Sequence, residues 1–376
     1  MELLRELTKT ILTNQKDGFI QLILGPRRVG KTILLKQLLN NFPNKKSAIF
    51  NGDTEETRQF WKTTSEIRLD KLTQNLDVII IDEAQRIPDI TLALKIIIDK
   101  YPEKKIFVTG SFALELITGF SETLTGRVQR YYLYPLSTKE ISSNLAPHQI
   151  PFLLEDQLIF GGYPYLTHLS NNEDKKQYLK SIIDDYLFRD LFQIETIKNK
   201  DTIKKLATLL AHQIGNEVSL NELARQLLID VKTVARYLNL LEACFLIIGL
   251  GAYSTNLRKE IVKSKKYYFY DLGIRNALLQ QFQPLDYRYD IGQLWENFLA
   301  IERIKKFEYS KKIANYYFWR TYTQAEVDWL EQTEAGLNAY EFKWKKTKAR
   351  TPKQFLDNYK TQVNYVNPEN YLEFII

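Results

Sequence analysis

The chain is organised around Gly25-Pro26-Arg27-Arg28-Val29-Gly30-Lys31-Thr32, eight residues that fit the phosphate-loop pattern G-x-x-x-x-G-K-[ST]. The apolar run 19–24 precedes them, and a helical pattern begins at Lys31. A loop around an anionic phosphate turns its backbone N–H groups inward, and glycines permit that close approach. The pattern predicts that Lys31 reaches the β- and γ-phosphates and that Thr32 holds Mg²⁺. Taken alone, it also fits a strand, a turn and a helix with chance glycines.

A second apolar run, Val78-Ile79-Ile80-Ile81-Asp82-Glu83, ends in two carboxylates. Unbroken apolar runs are typical of parallel strands that are covered on both faces. At the end of such a strand, Asp82 would share Mg²⁺ with Thr32, and Glu83 would orient and polarise the attacking water. The run therefore predicts the Walker B strand of an ATP site.

A third apolar run, 105–111, ends in small polar residues, where the hydroxyl of Ser111 would sense the γ-phosphate. The three runs together favour a site for ATP with Mg²⁺ over a strand, a turn and a helix that match the pattern by chance. The helix that begins at Lys31 points its positive dipole end at the same phosphates, which adds fixed charge to the site. The residues predicted to bind the nucleotide are Gly25, Pro26, Arg27, Arg28, Val29, Gly30, Lys31, Thr32, Ile33 and Ser111.

Length and composition set the limits within which these motifs act. A chain of 376 residues is too long for one compact core and predicts two or three domains. Strands and helices alternate around the phosphate loop, which predicts an α/β fold with a parallel sheet. The net charge of +7 favours a polyanion partner. No secretory leader and no apolar run of roughly 18 residues is found, so we expect a cytoplasmic protein without a membrane partner.

Several further motifs follow the three apolar runs. They are Glu115-Leu116, Leu124-Thr125-Gly126-Arg127, Y-P-L-S at 134–137, Gly161-Gly162-Tyr163-Pro164, the helix from Asp185-Tyr186 to Arg189-Asp190, and Tyr270-Asp271-Leu272-Gly273-Ile274-Arg275. With the loop and I-I-I-D-E-A-Q, they resemble the prokaryotic AAA-superfamily ATPases that carry a C-terminal domain of unknown function. The resemblance covers nearly the whole chain and implies ATP hydrolysis.

The same resemblance implies that Arg127 closes on a nucleotide phosphate, either within one chain or across an interface. An ordinary surface or ion-pair arginine is the alternative. An interface of this kind would make the protein a homo-oligomer, and the sequence leaves that question open.

Residues 203–250 follow a helical pattern that is typical of a winged helix-turn-helix unit. Ser219-Leu220-Asn221-Glu222 has the S-x-x-E form of a capping box, and a turn near Ile229-Asp230 separates two helices. The second helix would present Lys232 and Arg236 to the major groove or the phosphate backbone of DNA. The alternative is a helical lid that uses the same fold for contact with protein.

The C-terminal part has the residue order of a PD-(D/E)xK nuclease core, with Glu296, Asp328, Glu341 and Lys343. An E-x-K spacing on a strand puts Glu341 and Lys343 on one face. Asp328 and Glu341 would hold Mg²⁺, Lys343 would orient or activate the hydrolytic water, and Glu296 would face them from a helix. The alternative is a degenerate nuclease fold whose charges are solvated or paired.

These interpretations divide the chain into four parts: a P-loop ATPase core (1–145), a helical lid or linker (146–200), a winged helix-turn-helix domain (201–290) and a restriction-endonuclease-like α/β domain (291–376). Two functions remain open. One is an ATP-hydrolysing protein that acts on DNA. The other is an ATP-dependent switch or scaffold that binds a protein partner and has an inert C-terminal domain. Salt-dependent DNA binding would favour the first function.

Overall fold

The computed structural model describes residues 3–110, 123–143, 145–187, 199–254, 265–321, 325–346 and 350–376. The chain divides into two compact units, Met1–Tyr134 and Pro135–Ile376. The domain borders predicted at residues 200 and 290 lie inside the second unit and stay predictions. Ser111, Glu115-Leu116 and Arg189-Asp190 lie outside the described residues. In the described part of the chain, no helix is long and apolar enough to cross a membrane.

The first unit is a parallel sheet flanked by helices. Its described strands are β1 (Ile20–Leu24), β2 (Ser47–Asn51), β3 (Val78–Asp82), β4 (Lys105–Gly110) and β5 (Val128–Tyr132), and its described helices are α1 (Glu6–Asn14), α2 (Lys31–Leu39), α3 (Glu55–Trp61), α4 (Glu66–Thr73) and α5 (Ile90–Lys100). The strand order is β2-β3-β4-β1-β5, and every pair is parallel. The apolar runs become β1 and β3, which are buried along their whole length. This sheet confirms the predicted α/β fold class.

Two local elements of this unit have weak local sequence signals. The polar stretch 53–65 contains α3, which Thr54 caps by accepting a hydrogen bond from the Thr57 backbone N–H. The aromatic rings of Phe60 and Trp61 anchor α3 on Phe50 of β2, a tertiary contact that a polar local sequence does not reveal. The second such element is β5, which ends before the Y-P-L-S motif. Because β5 is an edge strand with one neighbour, it tolerates polar residues that weaken the strand signal.

The second unit combines helices with a mixed sheet. Its described helices are α6 (Thr138–Ser142), α7 (Ile150–Phe160), α8 (Asn172–Ser181), α9 (Lys200–His212), α10 (Leu220–Leu227), α11 (Val231–Ala243), α12 (Leu272–Leu279), α13 (Ile291–Tyr309), α14 (Lys353–Tyr359) and α15 (Tyr371–Ile375). Its described strands are β6 (Glu217–Val218), β7 (Ile247–Ala252), β8 (Lys265–Phe269), β9 (Asn315–Arg320), β10 (Glu326–Thr333), β11 (Gly336–Phe342) and β12 (Val363–Val366). The order β12-β11-β10-β9-β7-β8-β6 makes one continuous sheet, because β7 pairs with β9. Strands from the parts 201–290 and 291–376, which were predicted as separate domains, are thus hydrogen-bonded in one sheet.

Two of the sequence motifs, Gly161-Gly162-Tyr163-Pro164 and the stretch 270–275, contact each other in this unit. The Asp271 carboxylate accepts hydrogen bonds from the backbone N–H groups of Gly162 (2.7 Å) and Ile274 (3.1 Å), so it ties the end of α7 to the start of α12. A Cβ at Gly273 would lie 1.9 Å from the Phe160 carbonyl oxygen, so only glycine fits there. These motifs therefore have a structural role, because they hold α7 and α12 together.

Arg275, the last residue of the second motif, belongs to a buried ion-pair group. Its guanidinium donates to the Ala211 carbonyl (2.8 Å) and to the Asp290 carboxylate (2.5 Å), which also accepts from Arg288 (2.8 Å). Burial alone would raise the pKa of Asp290, but the hydrogen bonds and charges of Arg288 and Arg275 outweigh it and hold the pKa at about 2. Asp290 thus joins α12 to the start of α13 through charge, and Arg275 links this group to α9 through the Ala211 carbonyl.

We expect Asp290→Asn to lower the free energy of unfolding at pH 7 by about 2 kcal/mol. The folded-state pKa lies below the ordinary value near 3.8, so this stabilisation is present above pH 4 and is lost as the pH falls toward 2. Denaturant midpoints of parent and variant should therefore converge as the pH falls from 5 to 2. The exposed Asp286→Asn is the matched control, and a difference between parent and Asp290→Asn that is constant over this range would contradict the assignment.

Candidate functional site

The phosphate loop lies at the carboxyl end of β1 and continues into α2. Its backbone is left-handed at Arg28 (φ 65°) and Gly30 (φ 93°), which bends it sharply before the helix. A Cβ at Gly25 would lie 2.2 Å from the Leu133 carbonyl oxygen, so the loop requires glycine there. The buried Lys31 ammonium donates to the carbonyls of Gly25 (3.1 Å) and Pro26 (2.9 Å). The loop therefore wraps a cation, with the N-terminal end of α2 directly beneath it.

The buried Asp82 carboxylate at the end of β3 joins this loop. The Thr32 hydroxyl donates to Asp82 Oδ2 at 2.5 Å, and the Thr109 hydroxyl donates to Asp82 Oδ1. Thr109 also accepts from the Glu83 backbone N–H at 3.1 Å. Sequence analysis did not select Thr109, although it stands in the third apolar run, two residues before the predicted Ser111. Its hydroxyl orients the Asp82 carboxylate toward Thr32.

Glu83 has a strained backbone and a fixed side chain. Its φ of 52° and ψ of 48° are left-handed, a conformation that costs a non-glycine residue free energy and clusters at functional sites. Its Oε1 lies 4.0 Å from the Lys31 ammonium, and its Oε2 accepts from the Gln85 amide at 2.5 Å. The Glu83 carboxylate thus points at the same loop that Lys31 and Thr32 occupy.

The buried Arg5 supports the loop from the N-terminal side of α1. Its guanidinium donates to the Val29 carbonyl (2.5 Å) and to the Tyr134 carbonyl (2.7 Å). Sequence analysis missed this residue, because an arginine before a helix is usually exposed. Arg5 thus holds the loop backbone through the Val29 carbonyl.

These residues fit a nucleotide with Mg²⁺. A hydroxyl and a carboxylate oxygen 2.5 Å apart are hard oxygen ligands of the type that Mg²⁺ takes in P-loop sites. The Lys31 ammonium lies among backbone carbonyls, which phosphate oxygens can replace as acceptors. Of the residues predicted for this site, the structure brings together Lys31, Thr32, Asp82 and Glu83.

A second polar centre lies where α13 meets the strands β8, β10 and β11. Asp328 Oδ2 accepts from the Phe342 backbone N–H at 2.8 Å and lies 3.8 Å from the Lys343 ammonium. Lys343 also contacts Glu341 Oε1 at 2.5 Å. The register of β9 and β10 shifts between Val327 and Leu330, a bulge of the kind that redirects a side chain. The predicted Asp328, Glu341 and Lys343 thus form one group.

Glu296, the fourth predicted residue of this centre, is bound to partners that sequence analysis missed. Its Oε1 accepts from the Lys266 ammonium (2.9 Å) and from the Tyr268 hydroxyl (2.7 Å). Lys266 also contacts Glu326 Oε1 at 2.5 Å. The one available signal was a lysine within the apolar strand β8, which is buried from Lys266 to Phe269. A charge in such a position requires a buried partner.

Burial and neighbouring charges shift the pKa values of the carboxyl groups in this centre. Burial, followed by the nearby Glu296 and Glu341 carboxylates, raises the pKa of Asp328 well above its usual value. Burial also raises the pKa of Glu341, against the opposing effect of Lys343. The centre is therefore crowded with carboxylates, whose negative charge the Lys266 and Lys343 ammonium groups offset.

The residues predicted to contact DNA lie on α11. Lys232 and Arg236 are exposed one turn apart, on the face opposite the buried Val234, Tyr237 and Leu238. Asp230 caps the helix by accepting from the Thr233 backbone N–H at 2.8 Å. The helix thus presents two cations to solvent on a rigid, capped element.

Comparison with known protein families finds three matches along the chain. Residues 17–142 match the family model described as "AAA domain". This part of the chain is thus similar to an AAA-type P-loop domain. Residues 152–285 and 291–371 match two further models, each described as a domain of unknown function (DUF8612 and DUF4143).

Relatives with similar sequences occur in distant prokaryotes. An uncharacterized protein of Mycobacterium tuberculosis is 29% identical over 330 residues, which covers 86% of this chain and 70% of that protein. An uncharacterized protein of Methanocaldococcus jannaschii is 26% identical over 309 residues, 75% of this chain and 66% of its own length. Among solved structures, Drosophila ORC bound to DNA is 11% identical with a TM-score of 0.27, over 73% of this chain and 93% of that one. This structural likeness is weak.

Within the first unit, Arg127 does not join the phosphate loop. It precedes β5 and its carbonyl accepts from the Ile20 backbone N–H at the start of β1, whereas the loop follows the end of β1. Five strand residues lie between the amino-terminal and the carboxyl-terminal ends of these strands, a distance of about 16 Å. The Arg127 guanidinium is paired with Asp99. The observed contact is therefore the ion pair that was the alternative interpretation.

The Mg²⁺ predicted at Asp328 and Glu341 does not fit the observed arrangement. Both carboxylates face the Lys343 ammonium, and the neighbouring Glu296 faces Lys266. In the part of the chain that the structure describes, no group of three or more His, Cys, Asp or Glu residues is arranged to hold a metal ion. The physical reason is charge compensation, because lysines supply the positive charge that a metal would bring.

Proposed function

We propose that the chain binds and hydrolyses ATP with Mg²⁺ and uses this cycle to act on DNA. The observation that carries the first half is the convergence of Lys31, Thr32, Asp82 and Glu83 at one edge of the parallel sheet. The match of residues 17–142 to the AAA domain supports it. Release of phosphate from ATP by the purified chain, measured with and without Mg²⁺, is the direct test.

Each side chain of the site has a defined task in this proposal. The Lys31 ammonium exchanges its carbonyl acceptors for β- and γ-phosphate oxygens, while Thr32 and Asp82 hold the metal ion. Bound Mg²⁺ supplies positive charge that offsets the charge on the phosphates. Glu83 orients the attacking water and accepts its proton, and the Gln85 amide holds the Glu83 carboxylate in place through Oε2.

The DNA part of the proposal is supported by the elements around α11. The order α9, β6, α10, α11, β7, β8 supports the winged helix-turn-helix interpretation, in which the second helix of the pair would enter the major groove. Here that helix is α11, and Lys232 and Arg236 are its exposed cations. The net charge of +7 favours the same partner.

We expect the double substitution Lys232→Ala and Arg236→Ala to weaken DNA binding about tenfold. It should also reduce the slope of log affinity against log salt by about two, because two phosphate contacts are lost. Fluorescence anisotropy with a labelled duplex at several salt concentrations measures both quantities. The charge-matched control is Lys200→Ala with Lys205→Ala on α9. An unchanged affinity and slope would contradict a role of α11 in DNA binding.

The alternative is an ATP-dependent switch or scaffold that binds a protein partner. The observation that favours an inert C-terminal domain is the pairing of its carboxylates with Lys266 and Lys343. We therefore do not propose metal-dependent cleavage at Asp328, Glu341, Lys343 and Glu296. Absence of DNA binding by the parent chain at low salt would favour this alternative and leave the ATPase proposal intact.

A further inference from the structure

We propose that Lys266 is the permanent cation of the C-terminal carboxylate centre and excludes a divalent metal ion from it. This inference concerns the second unit only and is independent of ATP hydrolysis and DNA binding. It states that the group with the residue order of a nuclease core is built around an internal ammonium. The centre comprises Lys266, Glu296, Glu326, Asp328, Glu341 and Lys343, and we call it the carboxylate centre.

The position of the Lys266 ammonium is the first support. It lies 2.9 Å from Glu296 Oε1 and 2.5 Å from Glu326 Oε1, so it bridges a carboxylate on α13 and a carboxylate on β10. Bridging oxygens from separate elements is the task that a metal ion performs in a carboxylate site. Lys266 performs it with hydrogen bonds from a single ammonium group.

The burial of Lys266 is the second support. The residue is 2% exposed, and its strand β8 has a neighbour on each side, with Lys266 pairing with Leu250 of β7 and Glu217 of β6. Its ammonium also lies 5.3 Å from the ring centre of Phe318. The lysine stem is therefore enclosed, and an ammonium that left the carboxylates would lose the ion pairs that compensate its burial.

The protonation of Lys266 is the third support. Burial alone would lower the pKa of Lys266, but the carboxylates of Glu296, Glu326 and Asp328 outweigh it and raise the pKa above its usual value. The side chain is thus charged at neutral pH. A divalent ion among the same oxygens would lie beside a fixed positive charge and would be repelled by it.

Further donors also contact the carboxylate centre. Tyr268 donates to Glu296 Oε1, the oxygen that Lys266 also contacts, and Arg320 Nε lies 3.8 Å from Glu326 Oε2. On the other side, Lys343 contacts Glu341 and Asp328, and Asp328 Oδ2 accepts a backbone N–H. A metal ion bound through these oxygens would have to displace several donors, whereas removal of Lys266 alone would leave Glu296 and Glu326 without their shared cation.

The test is a calorimetric titration of the full-length, nucleotide-free chain with Mn²⁺. All proteins carry Asp82→Asn, so that the site at Thr32 and Asp82 does not contribute heat. We expect the parent with this background to show no saturable binding up to millimolar Mn²⁺. Lys266→Met keeps the length of the side chain and removes its charge. This variant should gain one Mn²⁺ site, with a dissociation constant at least tenfold below the highest Mn²⁺ concentration at which the parent shows no saturable binding.

Two controls assign the new site. Adding Asp328→Asn to Lys266→Met should abolish the gain, because a central carboxylate is lost. Lys265→Met, which removes an exposed ammonium from the same strand, should behave like the parent. If Lys266→Met does not fold, as judged by circular dichroism, Lys266→Met with Glu326→Gln removes the ion pair as a neutral unit and replaces it in the test.

Two results would overturn the proposal. One is saturable Mn²⁺ binding by the parent that Asp328→Asn abolishes, which would show that a metal enters the carboxylate centre beside Lys266. The other is a folded variant without the Lys266 charge that gains no Mn²⁺ site. The parent titration needs no substitution at Lys266 and so remains decisive by itself.

Discussion

Glu83→Gln is expected to bind ATP as tightly as the parent chain and to hydrolyse it at least about a hundredfold more slowly. Loss of a positioned general base typically costs between about 10² and 10⁴ in rate. Glutamine keeps the size and the hydrogen-bonding reach of the side chain, so Lys31, Thr32 and Asp82 retain their contacts. Its amide cannot accept a proton from the attacking water.

Turnover is measured by phosphate release and affinity by fluorescence of a labelled ATP analogue in the presence of Mg²⁺. Glu56→Gln, an exposed carboxylate on α3, is the matched control and should behave as the parent. A Glu83→Gln chain that hydrolyses ATP at the parental rate would remove Glu83 from the reaction. Parallel losses of affinity and rate would instead indicate a disturbed loop.

Lys31→Ala is expected to weaken ATP binding by about a hundredfold or more and to abolish turnover. The ammonium would make two or more charge-assisted hydrogen bonds to phosphate, each worth about 1.5–3 kcal/mol, and alanine makes none. The substitution also leaves the Gly25 and Pro26 carbonyls without this donor, so the loop loses a contact that shapes it before nucleotide arrives.

Lys36→Ala, an exposed lysine on the same helix, is the matched control for Lys31→Ala and should bind ATP normally. Circular dichroism of the variant should be parental, because the buried strands of the sheet do not depend on Lys31. A folded Lys31→Ala chain with unchanged ATP affinity would contradict the assignment of the phosphate loop.

Local patterns predicted the sheet and the grouping of the phosphate loop with the carboxylates after β3, because each of their signals lies within a few neighbouring residues. The apolar runs gave β1 and β3, and the loop pattern located Lys31 and Thr32. Asp82 and Glu83 followed from their position after a buried strand. Thr109 and Arg5 were missed because their roles depend on contacts between elements far apart in the chain.

The carboxylate centre shows the limit of such patterns more clearly. Residue order correctly grouped Asp328, Glu341 and Lys343, since the E-x-K spacing and two adjacent strands bring them together. It could not reveal Lys266, whose contact with Glu296 spans 30 residues and depends on how β8 packs against α13. Sequence patterns thus indicated the carboxylates but gave no sign that Lys266 compensates their charge.

The register of β1 and β5 has a consequence for how copies of this chain could assemble around ATP. Arg127 and the phosphate loop lie at opposite edges of one sheet, so an Arg127 that reaches a phosphate must come from a neighbouring copy. That neighbour would place its amino-terminal sheet edge against the carboxyl-terminal edge of the first. Such contacts are head-to-tail, and head-to-tail contacts either close into a ring or continue as a filament. A two-fold symmetric dimer that pairs identical edges would leave Arg127 away from both nucleotides.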